Sequence, residues 1–205
     1  IHNAGTMTIT GGVFDGNSAQ IDGGAINAGP SATISGVTIR NTLGSNGIYV
    51  NNGTVVITDA TFTGNAANDV VKAAGGANVL IEGSRFTGNS VCNVSNSSST
   101  VTIVNSVFVG NTIGGNKGII ATSQGGKTLI LNSTVAGNTG AGHGIYAMTS
   151  SSKVDIYNSV ITDRIKILDS TPVNLYSTVY ALTDGDGLTA DTNSIQVVAS
   201  DADGS

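Results

Sequence analysis

Side chains able to do acid–base or metal chemistry are sparse in this chain, with 13 Asp plus Glu, 8 Lys plus Arg, 2 His and 1 Cys in 205 residues. Cleaving a polysaccharide would need two carboxylates a few ångströms apart, or a carboxylate and calcium with an Arg or Lys base. Up to residue 163 the acids are Asp15, Asp22, Asp59, Asp69, Glu82, Asp155 and Asp163, each isolated in sequence. A lone Asp of this kind reads as a turn residue. His2 and His143 have no evident Ser and Asp partners; His143 lies in Gly140-Ala-Gly-His-Gly144, a glycine-rich turn predicted to be exposed and a candidate for binding. Those glycines lack the strand-to-helix setting of a nucleotide loop. Asp184-Gly-Asp-Gly187 and Asp201-Ala-Asp-Gly204 carry the alternating Asp of calcium loops without a full EF-hand ligand set. Asp184 and Asp186 are thus the calcium candidates in a chain that otherwise implies no cofactor. Cys92 is alone, which rules out an internal disulfide or a Cys-based zinc site and reads as a buried, inert thiol. Tyr146, Tyr157 and Tyr176 complete the binding candidates.

What would position these residues is a repeat. Asn105-Ser-Val-Phe-Val-Gly-Asn111 returns with drift along most of the chain. Its last residue recurs as Asn17, Asn41, Asn65, Asn89, Asn111 and Asn138, then Asp163, at intervals of 24, 24, 24, 22, 27 and 25 residues. The apolar anchor before it recurs as Phe14, Ile39, Phe62, Phe86, Phe108, Val135, Ile161 and, after a shorter interval, Tyr180. A fixed period near this length signals a solenoid, propeller or array. Propeller blades need about 40 residues, and leucine-rich repeats need a Leu framework that is absent here.

Before each anchor runs a short alternation, as in Val55-Val-Ile57, Val79-Leu-Ile81 and Val101-Thr-Ile103, whose first and third residues share an inward face. A third, more variable strand follows, for example Ile48-Tyr-Val50 and Ile145-Tyr146. Three strands and three turns in about 24 residues make one coil of an all-β solenoid, a parallel β-helix of about 8–9 coils and roughly 40 Å. Its hand is expected to be right, as for parallel crossovers generally. The recurrent Asn is expected to sit in the left-handed turn conformation and to bond amide to amide along the axis as a ladder. Residues 1–170 read as regular coils, and 171–205 as shorter terminal coils with Ile195-Gln-Val-Val198 opening one more; the ladder's next position falls at Leu182. Asp201 to Ser205 read as the boundary to a following segment, and Ile1 starts mid-pattern, as in an excerpt or processed product.

In this register the acids occupy different coil positions and do not stack into pairs. Tyr157 and Tyr176 share one position and should stack, where they could hold a sugar ring. Val56, Leu80, Val104, Leu129 and Leu131 point outward and could form an apolar strip. Thr columns on that face are interrupted by Leu, Glu, Val, Asp and Tyr, which disfavours an ice-binding surface. A net charge of −5 without a basic cluster argues against nucleic acid, and no apolar run is long enough for a membrane-spanning helix.

Gly23-Gly-Ala-Ile26 together with Phe14-Asp-Gly-Asn17, Phe62-Thr-Gly-Asn65, Phe86-Thr-Gly-Asn89 and Phe108-Val-Gly-Asn111 resembles the GGAI and FxxN repeats of the polymorphic outer membrane proteins. The pattern is equally similar to the wider group of bacterial surface proteins with right-handed parallel β-helix repeats. The resemblance spans residues 1 to about 163, with the full Gly-Gly-Ala-Ile present once and no Phe anchor after Phe108. It implies an exported bacterial protein, at the cell surface or secreted, acting as an adhesin or structural rod without a catalytic site. The partners it implies are a host or cell-surface protein or glycan, or a second copy meeting it through sheet faces or coil ends. The competing reading is a polysaccharide-binding or polysaccharide-degrading β-helix of the pectate-lyase kind.

Overall fold

The structure, a computed structural model, describes residues 1–180 and 183–196. Short β-branched strands alternating inward and outward are joined by turns that carry the chain into the next sheet, so each strand pairs with its equivalents one coil before and after. Sheet one has nine strands, running from Thr6–Thr10 through Thr54–Thr58, Asn78–Glu82 and Thr100–Val104 to Leu188–Ala190. Sheet two also has nine, from Val13–Asp15 to Ile195–Gln196, and sheet three has eight, from Ile26–Ala28 to Thr183–Asp184. Pairing is parallel throughout, with the sequence repeats in register: Val55, Val79 and Val101 align, as do Phe62, Phe86 and Phe108. Among the described residues there is no helix long and apolar enough to cross a membrane.

The core is a stack of columns inside the coils. Ile34, Ile57, Ile81, Ile103, Ile130 and Ile156 form one on sheet one, and Ile39, Phe62, Phe86, Phe108, Val135 and Ile161 form another on sheet two, all fully buried. Phe14, on the first coil, is half-buried against the same core. The three Phe rings lie face to face at centroid separations of 4.4 Å and 4.4 Å.

Two polar columns line the corners of sheet two. On the far corner the Asn65 amide donates to Asn89 Oδ1 (2.9 Å), Asn89 to Asn111 (3.0 Å), Asn111 to Asn138 (2.8 Å) and Asn138 to Asp163 (2.5 Å). Each Oδ1 also accepts the backbone N–H of the preceding rung, and each amide also donates to the anchor carbonyl of the coil before. The near corner carries a matching hydroxyl column: Ser84, Ser106, Ser133 and Ser159 Oγ accept the backbone N–H groups of Ala60, Ser84, Ser106 and Ser133, and each hydroxyl donates to the carbonyl two residues before it.

Three expectations are corrected here. The rungs Asn65, Asn89, Asn111 and Asn138 are not in the left-handed region; the glycine before each one is, with φ of 63°, 63°, 64° and 63°. Glycine takes that conformation at no steric cost, which frees Asn to bond axially. Asn41 is not a rung. It occupies the glycine position of its coil, at φ 54°, and its amide reaches Asp15 (2.7 Å). The rung is Thr42, whose N–H donates to Asn65 Oδ1 and whose buried Oγ1 has no hydrogen-bond partner, so the ladder is broken between Asn17 and Asn65. Finally, Ile195–Gln196 does not open a coil: it pairs with Val179–Tyr180 in sheet two, and the opening strand is Leu188–Ala190. The last coils are shorter than the repeat, as the 19-residue step between Asp155 and Asn174 shows. Leu182, Val197, Val198 and the Asp201 to Ser205 boundary lie outside the described residues.

Candidate functional site

From Asn111 onward the connection at the ladder corner from sheet two to sheet three shortens from coil to coil. Residues 112–117 make it after Asn111, residues 139–142 after Asn138, and Arg164 alone after Asp163. A long connection followed by an almost absent one leaves a step in the wall of the rod. There a cleft of about 350 Å³ opens, lined by Ile113, Ile119, Asn138, the 139–142 turn, His143, Gly144, Asp163 and Arg164. Gly142 lets the turn lie directly on the 112–117 loop, since a Cβ there would meet the Ile113 side chain at 1.7 Å. Ala141 is exposed at the rim.

Asp163 ends the ladder in this cleft. Its carboxylate accepts the Asn138 backbone N–H and amide. Burial pushes its pKa up, and the donors from Asn138 and Gly137 offset part of that rise. A carboxylate suits the position because the last member of a donor chain need only accept. His143, predicted as an exposed turn residue, is instead buried at the start of the strand His143–Ala147; its N–H bonds the Lys117 carbonyl and its ring tilts against Tyr146 at 5.4 Å. The 112–117 loop covers that face, which periodicity alone does not reveal.

The same loop shelters a smaller pocket of about 180 Å³ on the outer side of sheet three, lined by Asp69, Cys92, Lys117, Tyr146 and Met148 among others. Cys92 and Tyr146 are buried there with Ala121. Burial pushes the Cys92 thiol well up and raises Asp69, against the pull of Lys72 and Lys117. The thiol is held as a weak donor toward the Ile119 carbonyl (3.8 Å), the environment of an unreactive cysteine.

On the outer face of sheet one, Tyr157 and Tyr176 stack at 4.3 Å with planes 10° apart. Each ring therefore covers one face of the other. Lys153 pairs with Asp155 (2.8 Å), and Asn174 donates to the same carboxylate (2.7 Å). Val56, Leu80, Val104, Leu129 and Leu131 are half-buried beside them, and Thr102 and Glu82 interrupt the strip.

Asp15, Asp22 and Asp59 lie on earlier coils. Asp15 is held below the ordinary range by Asn41 and by Arg40, its ion-pair partner at 2.8 Å. Asp22 accepts from Asn46 (3.4 Å), and Asp59 sits in a left-handed turn at φ 52°. Asp186 is exposed, and the Asp184 side chain lies outside what the structure describes. No group of three or more His, Cys, Asp or Glu that could hold a metal occurs among the described residues.

No curated protein matches the chain. The structure is similar to that of trypsin-treated QnrB1, a plasmid-mediated fluoroquinolone resistance protein, at 10% identity and TM-score 0.39 over 92% of this chain and 93% of that one. That likeness is too loose to bear on function. Residues 1–161 match the family model described as the right-handed β-helix region. The matched residues span the coils whose inward columns and corner ladders are described above, so the chain belongs to the right-handed β-helix family.

Proposed function

We propose that this chain is a non-catalytic segment of a bacterial cell-surface or secreted adhesin or structural protein. Its partners would be a host or cell-surface protein or glycan. The observation that carries this reading is how the reactive side chains are used: Asp15, Asp155 and Asp163 are each tied to local donors, and the Asn and Ser columns are hydrogen-bonded to one another. Glycosidic hydrolysis needs a second carboxylate set opposite the first. The similarity of the Gly-Gly-Ala-Ile and Phe-x-x-Asn motifs to polymorphic outer membrane repeats adds support for export.

The test is to measure retention of the purified chain on cell surfaces and on immobilised polysaccharides, alongside product release from acidic and neutral polysaccharides with and without calcium. Saturable retention without product is expected. Turnover lost in Asp69→Asn or Asp155→Asn would move the chain to the polysaccharide-degrading class. Absence of any saturable retention would remove the binding role.

A further inference from the structure

The geometry points to a saccharide site on the outer face of sheet one, where one neutral pyranose, as a glycan end or branch, sits on Leu131 against the ring of Tyr157. This rests on the binding reading above and names its ligand class and its place.

Tyr157 lies between Leu131 and Tyr176 in register along one column of that face. Tyr176 covers one side of its ring at 4.3 Å, so the ring lies across the rod axis and its other side turns toward the Leu131 coil. Leucine is the shorter side chain. The Tyr157 ring therefore stands as a wall at the edge of a floor made by Val104, Leu129 and Leu131, all half-buried. On one flank of the wall Asp155 accepts from Lys153 (2.8 Å) and Asn174 (2.7 Å), one bond to each oxygen. Each oxygen keeps a lone pair for a hydroxyl. On the other flank Asn132 and Asn158 are exposed in left-handed turns, at φ 49° and 48°, and their amides bond no described residue.

The fold does not require these side chains. The column of Leu131 and Tyr157 begins as Thr10, Ser35 and Thr58 in the same parallel register. Thr suits a sheet face as well as Tyr does, so the change to an apolar floor and an aromatic wall marks a contact surface. Three observations narrow what it meets. The strands carrying these residues are paired on both sides, which leaves no edge for an added peptide strand. The floor spans two coils and two columns, roughly 10 Å each way, whereas a stable protein partner covers about 800 Å². Lys153 and Asp155 neutralise each other, and Lys127 and Glu82 at the borders of the floor are of opposite sign, so no net charge selects an ion. A neutral pyranose fits what is left. Its C–H face packs on an aromatic ring, and its hydroxyls donate to the carboxylate and accept from the amides.

The test titrates the whole chain with methyl hexosides and methyl N-acetylhexosaminides, followed by amide chemical shifts, with uronic acids as the charged comparison. Leu131→Thr and Tyr157→Thr install the residue that the first and third coils carry at that position, so folding is kept, as a melting curve checks. Thr33→Val, on the same face in the second coil, is the control. Each site variant is expected to weaken neutral-sugar binding by about tenfold or more while the control does not. In the unaltered chain the shifts should concentrate on residues 129–132 and 153–158. No saturable shift with any neutral sugar, shifts confined to other residues, or unchanged binding in both site variants overturns the site. Cell-surface retention that persists in that case leaves the adhesin reading standing. Tighter binding of uronic acids overturns the ligand class.

Discussion

At the scale of the residue, one side chain stands against its surroundings. Asn93 is fully buried between the core residues Val70 and Ile119 of the adjacent coils, and neither end of its amide has a hydrogen-bond partner. An unsatisfied buried amide costs about 1–3 kcal/mol. Asn93→Val should therefore raise stability by about that amount in urea unfolding, and a loss would show that the amide is satisfied in solution. Phe86 is the opposite case. Packed on both faces by other rings, it should cost about 3–5 kcal/mol when replaced by Ala; a change under about 1 kcal/mol would contradict the stacked core. Asp69 supplies a pH signature. Its folded pKa is raised by burial, so the folded chain holds its proton more tightly than the unfolded chain does. This contribution to stability is greatest below the ordinary carboxyl range and is lost as pH rises from there through the raised value. Asp69→Asn should be the more stable form at neutral pH, and its advantage should vanish in acid. A constant gap across pH would locate the effect elsewhere.

At the scale of the element, the ladders explain why some of the structure is written plainly in the sequence and some is not. Inward aliphatics at alternate positions and a Phe every coil can serve little other than a packed sheet, so strands and period are legible. Asparagine is ambiguous, because it favours both left-handed turns and axial bonding. In Arg40-Asn-Thr42 the regular 24-residue count selects Asn41, whereas the anchor at Ile39 places the rung three residues on, at Thr42. The hydroxyl column leaves still less trace, since Ser is common in any turn; the repeated Asn105-Ser106, Asn132-Ser133 and Asn158-Ser159 pairs are its one signal. Burial of His143 and Tyr146 depends on a loop folding over the outer face, which no periodic pattern encodes. The broken rung gives a direct test. Thr42→Asn, of nearly equal volume, should extend the ladder and stabilise by about 1 kcal/mol, whereas Asn65→Leu should cost about 1–3 kcal/mol by stranding partners on both sides. Thermal or denaturant melts of the two variants moving in the same direction would break this account.

At the scale of the molecule, each coil touches chiefly its two neighbours, so stability is expected to be a sum over coils and interfaces. Removing residues 66–89 deletes one coil and joins Asn65 to Ser90, bringing Phe62 onto Phe108 and leaving both ladders in register. The shortened rod should fold, with a denaturant m-value lower by about one part in eight as less surface is exposed on unfolding. Loss of the β-sheet signal would show that the coils are not interchangeable.

The corner bonds also clasp neighbouring coils from both sides. Asn65 reaches forward with its N–H and amide to Asn89 Oδ1, while its own carbonyl accepts the Ser90 N–H of the later coil and its amide reaches back to the Ile39 carbonyl. Arg85 and Val107 likewise donate backwards to Ala60 and Ser84 while Ala60 and Ser84 donate forwards to Ser84 and Ser106. A cut between any two coils therefore bares N–H groups and oxygens on both new faces, and buried N–H groups are the kind proteins leave unpaired least often. Erosion should thus be punished alike from either end, as in a rope that frays the same way wherever it is cut.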